Sequence, residues 1–198
     1  MRPQSLALPP LACLLGSVSL LHVTFIKRRP LHIDLGCGDG RHIVEWSKAH
    51  ADVSWLGLDL HAPSHGRAHG SAEEAAPSAA AFLVCNCHQL AVLGRLIERL
   101  RGRGLPLSSV SIVLPRQWTK ARHAARRLLS ASLLELLHTC LTPGGRLLVV
   151  CADGARADDA RTLLSAVPGR WREVVEDVFP LACGAVVGTV VEVRVMRV

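Results

Sequence analysis

Three groups of residues have types and spacings that can do chemistry. The first is Asp34 followed by Gly36, Gly38 and Gly40. Alternate glycines let a backbone turn sharply and approach a ligand closely, and a helix opening just after them offers unpaired N–H groups. The spacing differs from the G-x-G-x-x-G dinucleotide fingerprint, because the third glycine comes one residue early. The second is Asp59, at the end of an apolar run, where a carboxylate can accept both hydroxyls of a ribose or simply cap a turn. The third is the segment 114–127, Leu-Pro-Arg-Gln-Trp-Thr-Lys-Ala-Arg-His-Ala-Ala-Arg-Arg. Here Lys120, Arg122, His123, Arg126 and Arg127 follow a Pro/Trp turn that closes a strand-like run. Loops at the carboxyl ends of sheet strands are where open α/β folds bind ligands, and this charge suits a phosphate-rich partner. A solvated helix start is the alternative.

The 34–40 run resembles the E/D-x-G-x-G-x-G loop of class I S-adenosylmethionine-dependent methyltransferases. Segment 114–127 resembles the Phe-Pro-Asp-Pro-Trp…Lys-x-Arg-His…Arg-Arg signature of the tRNA (guanine-N7-)-methyltransferases, matched at Pro115, Trp118, Lys120, Arg122, His123, Arg126 and Arg127. Gly57-Leu58-Asp59-Leu60-His61 is similar to that family's Gly-Ile-Glu-Val-His. Cys151-Ala152-Asp153 is similar to its Thr-Asp after the fifth strand, and Thr189-Val190-Val191-Glu192-Val193-Arg194 to its Thr-x-[FY]-Glu-x-Arg.

The resemblance implies a Rossmann-like class I methyltransferase fold: an α/β protein with a mostly parallel seven-stranded sheet and helices on both faces. It implies S-adenosylmethionine as cofactor, held by Asp34, Gly36, Gly38, Gly40, Asp59 and Asn86, and methyl transfer to N7 of a guanine in tRNA. The tRNA would be held by Lys120, Arg122, His123, Arg126, Arg127, Asp153, Thr189 and Glu192. A carboxylate such as Glu192 suits the guanine N1–H and N2–H₂ donors. Read from the residues alone, Asn86 is as readily a turn residue, and Thr189 and Glu192 the polar positions of an edge strand.

The chain departs from the family at the position of its acidic residue, which is Arg116, and at Gln117, Ala121, Ala124, Ala125 and Ala152. Guanine N7 has a free lone pair, so methyl transfer needs in-line placement and no general base. The product ring is cationic, and a nearby carboxylate would stabilise it. Arg116 has the opposite sign, so no catalytic residue is assigned. A catalytically silent RNA-binding protein on the same fold is the rival reading. A small-molecule methyltransferase would share the glycine loop but leave the cationic cluster without a purpose.

Elements that would position these groups follow from periodicity. Strands are expected at 31–35, 53–60, 81–85, 110–114, 146–152, 173–179 and 185–197. Helices are expected at 41–50, 90–101, 128–141 and 157–167, with a Gly/Pro/Ala/His-rich loop at 61–78. Strand and helix alternate, which predicts a largely parallel sheet covered on both faces.

The 198 residues fit one domain over 28–198, with a net charge of +7 that suits an anionic partner. The apolar, acid-free stretch 1–27 is a separate extension: a targeting segment, a packing helix or the product of a misplaced start. Seven cysteines without a CxxC pair or zinc-like spacing point to buried thiols of a reducing compartment and to no metal. No apolar run in the body is long enough to span a membrane. A cytoplasmic or nuclear enzyme is expected, organelle-targeted if 1–27 is a leader, acting as a monomer or with a non-catalytic subunit.

Overall fold

In the computed structural model the described residues are 29–61, 80–115, 127–167, 171–173 and 189–195. Seven strands form one sheet in the order β3-β2-β1-β4-β5-β7-β6. They are β1 (Leu31–Leu35), β2 (Ser54–Asp59), β3 (Ala80–Val84), β4 (Leu107–Val113), β5 (Arg146–Cys151), β6 (Trp171–Glu173) and β7 (Thr189–Val195). The first five run parallel. Strand β7 returns antiparallel to β5, and β6 antiparallel to β7. Chain order reverses between β1 and β4, which makes that junction the switch point where such sheets bind ligands.

Among the described residues four helices cover the sheet: α1 (Arg41–Ala49), α2 (Leu90–Gly102), α3 (Ala131–Cys140) and α4 (Gly154–Ser165). Period-two alternation divides the buried side chains between the faces. Leu31, Ile33 and Leu35 join Leu56, Leu58, Leu147 and Val149 in the large core under α2, α3 and α4. Trp55, Leu148 and Val150 face the other way, with Ile43 and Trp46 of α1. Helix α2 shows why the sequence reads so plainly: Leu93, Leu96, Ile97 and Leu100 are buried, and Arg95, Glu98 and Arg99 are outside.

Several boundaries differ from expectation. Strand β4 starts at Leu107, three residues before the expected 110, because Ser108 and Ser109 interrupt the apolar run there. Helix α3 starts at Ala131, because Ser130 caps it by accepting the Leu133 N–H at 3.3 Å. Helix α4 starts three residues early, at Gly154, because Asp153 caps it. Strand β6 lies at Trp171–Glu173; the expected 174–179 portion falls outside the described residues. A three-residue edge strand carries no alternation to detect. Among the described residues, five cysteines are buried thiols, and no helix is long and apolar enough to cross a membrane.

Helix α1 sits close on β2 at Gly57. A Cβ there would lie 2.6 Å from Phe82 Cδ1, 2.7 Å from Ile43 Cδ1 and 2.9 Å from Cys37 Sγ. Gly57→Ala is therefore expected to cost about 1–3 kcal/mol by overpacking, measured by urea denaturation.

Candidate active site

The turn after β1 is built from left-handed glycines: φ is +80° at Gly36, +59° at Gly38 and +74° at Gly40. Side chains at these angles would be strained, so the alternate glycines are a backbone requirement. The turn is tied to β2 by the N–H groups of Gly36 and Cys37, which donate to Leu58 O at 2.8 and 3.0 Å. The Gly38 N–H donates to Asp59 Oδ2 at 2.9 Å, and the His61 N–H to Asp59 Oδ1 at 3.0 Å. Asp59 thus links the tips of two strands while remaining partly exposed. A Cβ on Gly38 would meet nothing within 4 Å, so its outer side is open.

The third strand end joins this cluster. Cys85 N–H donates to Asp59 O at 2.7 Å, which sets Asn86 beside it. Asn86 Oδ1 accepts the His88 N–H at 3.1 Å and so builds the turn into α2.

Asp34 departs from its expected place. Its side chain has no solvent exposure and lies beneath the turn. His42 Nε2 donates to its Oδ2 at 2.9 Å, and Ser111 Oγ donates to its Oδ1. His32 extends the chain, with Nε2 2.8 Å from Ser111 Oγ and Nδ1 2.8 Å from Ser109 Oγ. Because Ser111 spends its proton on Asp34, His32 donates from Nε2, and burial, which disfavours the cation, leaves Nδ1 to accept from Ser109 Oγ. That is the neutral tautomer. Trp55 stacks at 4.4 Å on His32, and Trp46 closes edge-on at 6.0 Å.

Sequence reasoning missed this network, although its signal was present. His32 and Asp34 share one face of β1, Ser109 and Ser111 one face of β4, and polar pairs at i, i+2 inside buried strands need partners.

The two imidazoles titrate in opposite directions. Burial holds His32 down to about 4, with the nearby Asp34 charge opposing only in part. Burial also works against the His42 cation, but the hydrogen bond and charge of Asp34, helped by Asp39 and Glu45, outweigh it and raise its pKa.

Beyond the switch point lies a cavity of about 510 Å³ between α4 and the chain entering α3. Pro115 and Arg127 line it, with Leu128, Cys151, Ala152 and Arg156. Leu128 is also the side chain nearest Gly36, 3.7 Å from a Cβ built there, so one wall of the cavity touches the glycine turn. Segment 114–127 therefore leaves and re-enters the fold at this cavity. Arg116, Trp118, Lys120, Arg122, His123 and Arg126 lie outside the described residues.

Asp153 caps α4, its Oδ1 accepting the Arg156 N–H at 2.9 Å, so one oxygen expected for substrate serves the helix. Thr189 pairs with Cys151 at the cavity end of β5. Glu192 pairs with Leu148, three residues further from that end. The register brings Thr189, but not Glu192, level with Cys151.

Comparison with known proteins agrees with this geometry. The family model described as "Putative methyltransferase" matches residues 28–168. The tRNA (guanine-N(7)-)-methyltransferase of Rubrobacter xylanophilus is 32% identical over 155 residues, covering 77% of this chain and 65% of that protein. That of Thermosynechococcus vestitus is 30% identical over 154 residues, covering 77% and 68%. The crystal structure of the aminoglycoside resistance methyltransferase NpmB1 shares the fold, with a TM-score of 0.55 at 19% identity, covering 89% of this chain and 91% of that one. The chain spans about half to two thirds of the length of the curated relatives it matches.

Sheet order, glycine turn and strand-end carboxylate together define a class I methyltransferase fold. Within that class, the chain belongs to the tRNA (guanine-N7-)-methyltransferase family.

The His32 tautomer gives a pH test. With a folded value of about 4 against 6.5, its contribution is fully present above pH 6.5 and is lost as pH falls toward 4. That amounts to about 3 kcal/mol. The raised His42 works the other way, its contribution being present below 6.5 and lost as pH rises past its folded value. His32→Gln should be less stable at pH 8 by about 1–3 kcal/mol, yet decline less between pH 6.5 and 4. Denaturant titrations across that range measure both slopes.

Proposed function

We propose that the protein transfers a methyl group from S-adenosylmethionine to N7 of a guanine in tRNA. The observation that carries this reading is the Gly38–Asp59 hydrogen bond. It joins the glycine turn to the β2 carboxylate, and Leu128 brings the cavity wall against that turn at Gly36.

The residues fit an adenosyl cofactor. The turn leaves open space outside Gly38, and Asp59 offers its remaining lone pairs to a ribose diol. Asn86 stands beside it to face an adenine edge. When bound, S-adenosylmethionine supplies an electrophilic methyl on a sulfonium.

The rest falls to the chain. The wall shared by Leu128 sets the cavity against the turn, so a nucleobase in it would lie next to the loop that would hold the cofactor, and proximity and orientation are what the transfer requires. Leu128, Leu129, Val149 and Leu163 give the cavity an apolar wall suited to the face of a base. No residue has to remove a proton from N7. Lys120, Arg122, His123, Arg126 and Arg127 supply cations for the tRNA phosphates, and the net charge of +7 favours the encounter. Asp34 serves at one remove, through His42 and the turn above it.

Two experiments test the reading. Asp59→Ala should weaken S-adenosylmethionine binding by about 1.5–3 kcal/mol in calorimetry; unchanged affinity in a folded variant removes the cofactor assignment. Single-turnover transfer of labelled methyl to tRNA, with mapping of the modified base, should place the label on guanine N7. Arg116→Asp restores the carboxylate that the family resemblance implies at this position. It should speed that transfer by about tenfold for each 1.4 kcal/mol of barrier removed; a slower or equal rate contradicts the electrostatic role given to this position.

A further inference from the structure

Arg156 lies outside the motifs that carry the family resemblance, yet it lines the cavity read as the acceptor site. It stands half-buried in the first turn of α4, just beyond the Asp153 cap. Its Nη1 donates to Asp159 Oδ2 at 3.1 Å. Asp159 is well exposed, so that pair contributes little. Arg156 Nε is buried and makes no hydrogen bond among the described residues. A buried donor without an acceptor carries a desolvation cost that an incoming acceptor would relieve. The neighbouring acids are committed elsewhere. Asp158 and Glu173 both accept from Arg161, at 3.0 and 2.9 Å, and Asp153 Oδ1 accepts the Arg156 backbone N–H. The fold thus keeps a guanidinium beside the cavity with donor capacity it does not use.

The rest of the lining says what kind of acceptor fits. Leu128, Val149 and Leu163 are apolar, while Arg127 and Arg156 bring cations to the same space against the single carboxylate of Asp159. An apolar face with a cationic end matches the two halves of a nucleotide, base and phosphate. Arginine reading guanine itself would take O6 and N7, and that would occupy the lone pair to be methylated. Phosphate oxygens accept from the guanidinium fork without touching the base.

We propose that Arg156 binds a phosphate adjoining the acceptor guanosine, exchanging its exposed contact with Asp159 for a phosphate oxygen when the nucleotide enters. The proposal rests on the cavity being the acceptor site. It anchors the nucleotide by its backbone while the apolar wall meets the base, so the N7 edge stays clear.

Titration of guanosine, guanosine 5′-monophosphate and guanosine 3′-monophosphate into the full chain, followed by ligand NMR, tests it. The parent should bind at least one monophosphate about tenfold more tightly than guanosine, the equivalent of about 1.4 kcal/mol. Arg156→Gln should erase that preference and leave guanosine affinity unchanged. Asp159→Ala, which removes the competing carboxylate, should enlarge it. Both variants break the same ion pair, so a purely structural role would move them in the same direction. A parent that does not distinguish guanosine from either monophosphate overturns the proposal and leaves the proposed reaction standing. So does a preference that survives Arg156→Gln, or one that Asp159→Ala also abolishes. A parent that binds none of the three ligands removes the cavity as the acceptor site, and the proposal with it.

Discussion

A carboxylate sealed from water must be surrounded by donors, and the burial of Asp34 sets that condition at the centre of this fold. Its side chain has no solvent contact. An unpaired charge there would cost several kcal/mol. The structure meets the requirement from three elements: β1 brings the carboxylate, β4 brings Ser111, and the first turn of α1 brings His42. Helix α1 cannot shift without exposing or orphaning that charge. The glycine turn is its only lead-in from β1, so the turn inherits a fixed start and a fixed end. Gly57 completes the constraint from the β2 side by letting α1 approach closely.

With the turn fixed below by Asp34, Asp59 fixes it above. Two carboxylates thus act on one loop by different physics. The buried one works through desolvation and needs its partners to remain. The partly exposed one accepts two backbone N–H groups and still faces the solvent side. That division leaves a preformed concave backbone beside the cavity, so a ligand need not order the loop on arrival. Strand β4 likewise reaches the switch point already clamped between β1 and β5.

Much of this was legible in the sequence. The runs at β2 and β5 read as strands because both faces are buried, which leaves near-continuous apolar stretches, and β1 by its alternation of Leu31, Ile33 and Leu35 with His32 and Asp34. Glycines spaced at alternate positions between a strand and a helix pointed to the turn, and Asp59 to its partner. What escaped detection depended on direction. Periodicity says that Asp34 lies on one face of β1, but only tertiary packing says that α1 covers that face and removes the carboxylate from the ligand side. The cap Ser130 was hidden inside a run of leucines at helical spacing, and Asp153 directly after a strand, because a capping side chain is recognised by the N–H it accepts. The positive φ of Leu114, +44°, has no sequence signature, since the residue type contradicts it. The register of Thr189 and Glu192 against β5 is likewise a long-range property that neither residue announces.

Preorganisation of the glycine turn is the claim on which the rest depends, and amide hydrogen exchange at Gly38 in the ligand-free protein reads it directly. With its N–H held by Asp59, that amide should exchange far more slowly than an unstructured glycine. It should accelerate in Asp59→Ala while the amides of β1 and β5 keep their protection. Unprotected exchange at Gly38 in the parent, with the neighbouring strands protected, would mean that the turn forms only around a ligand. That result would contradict the account.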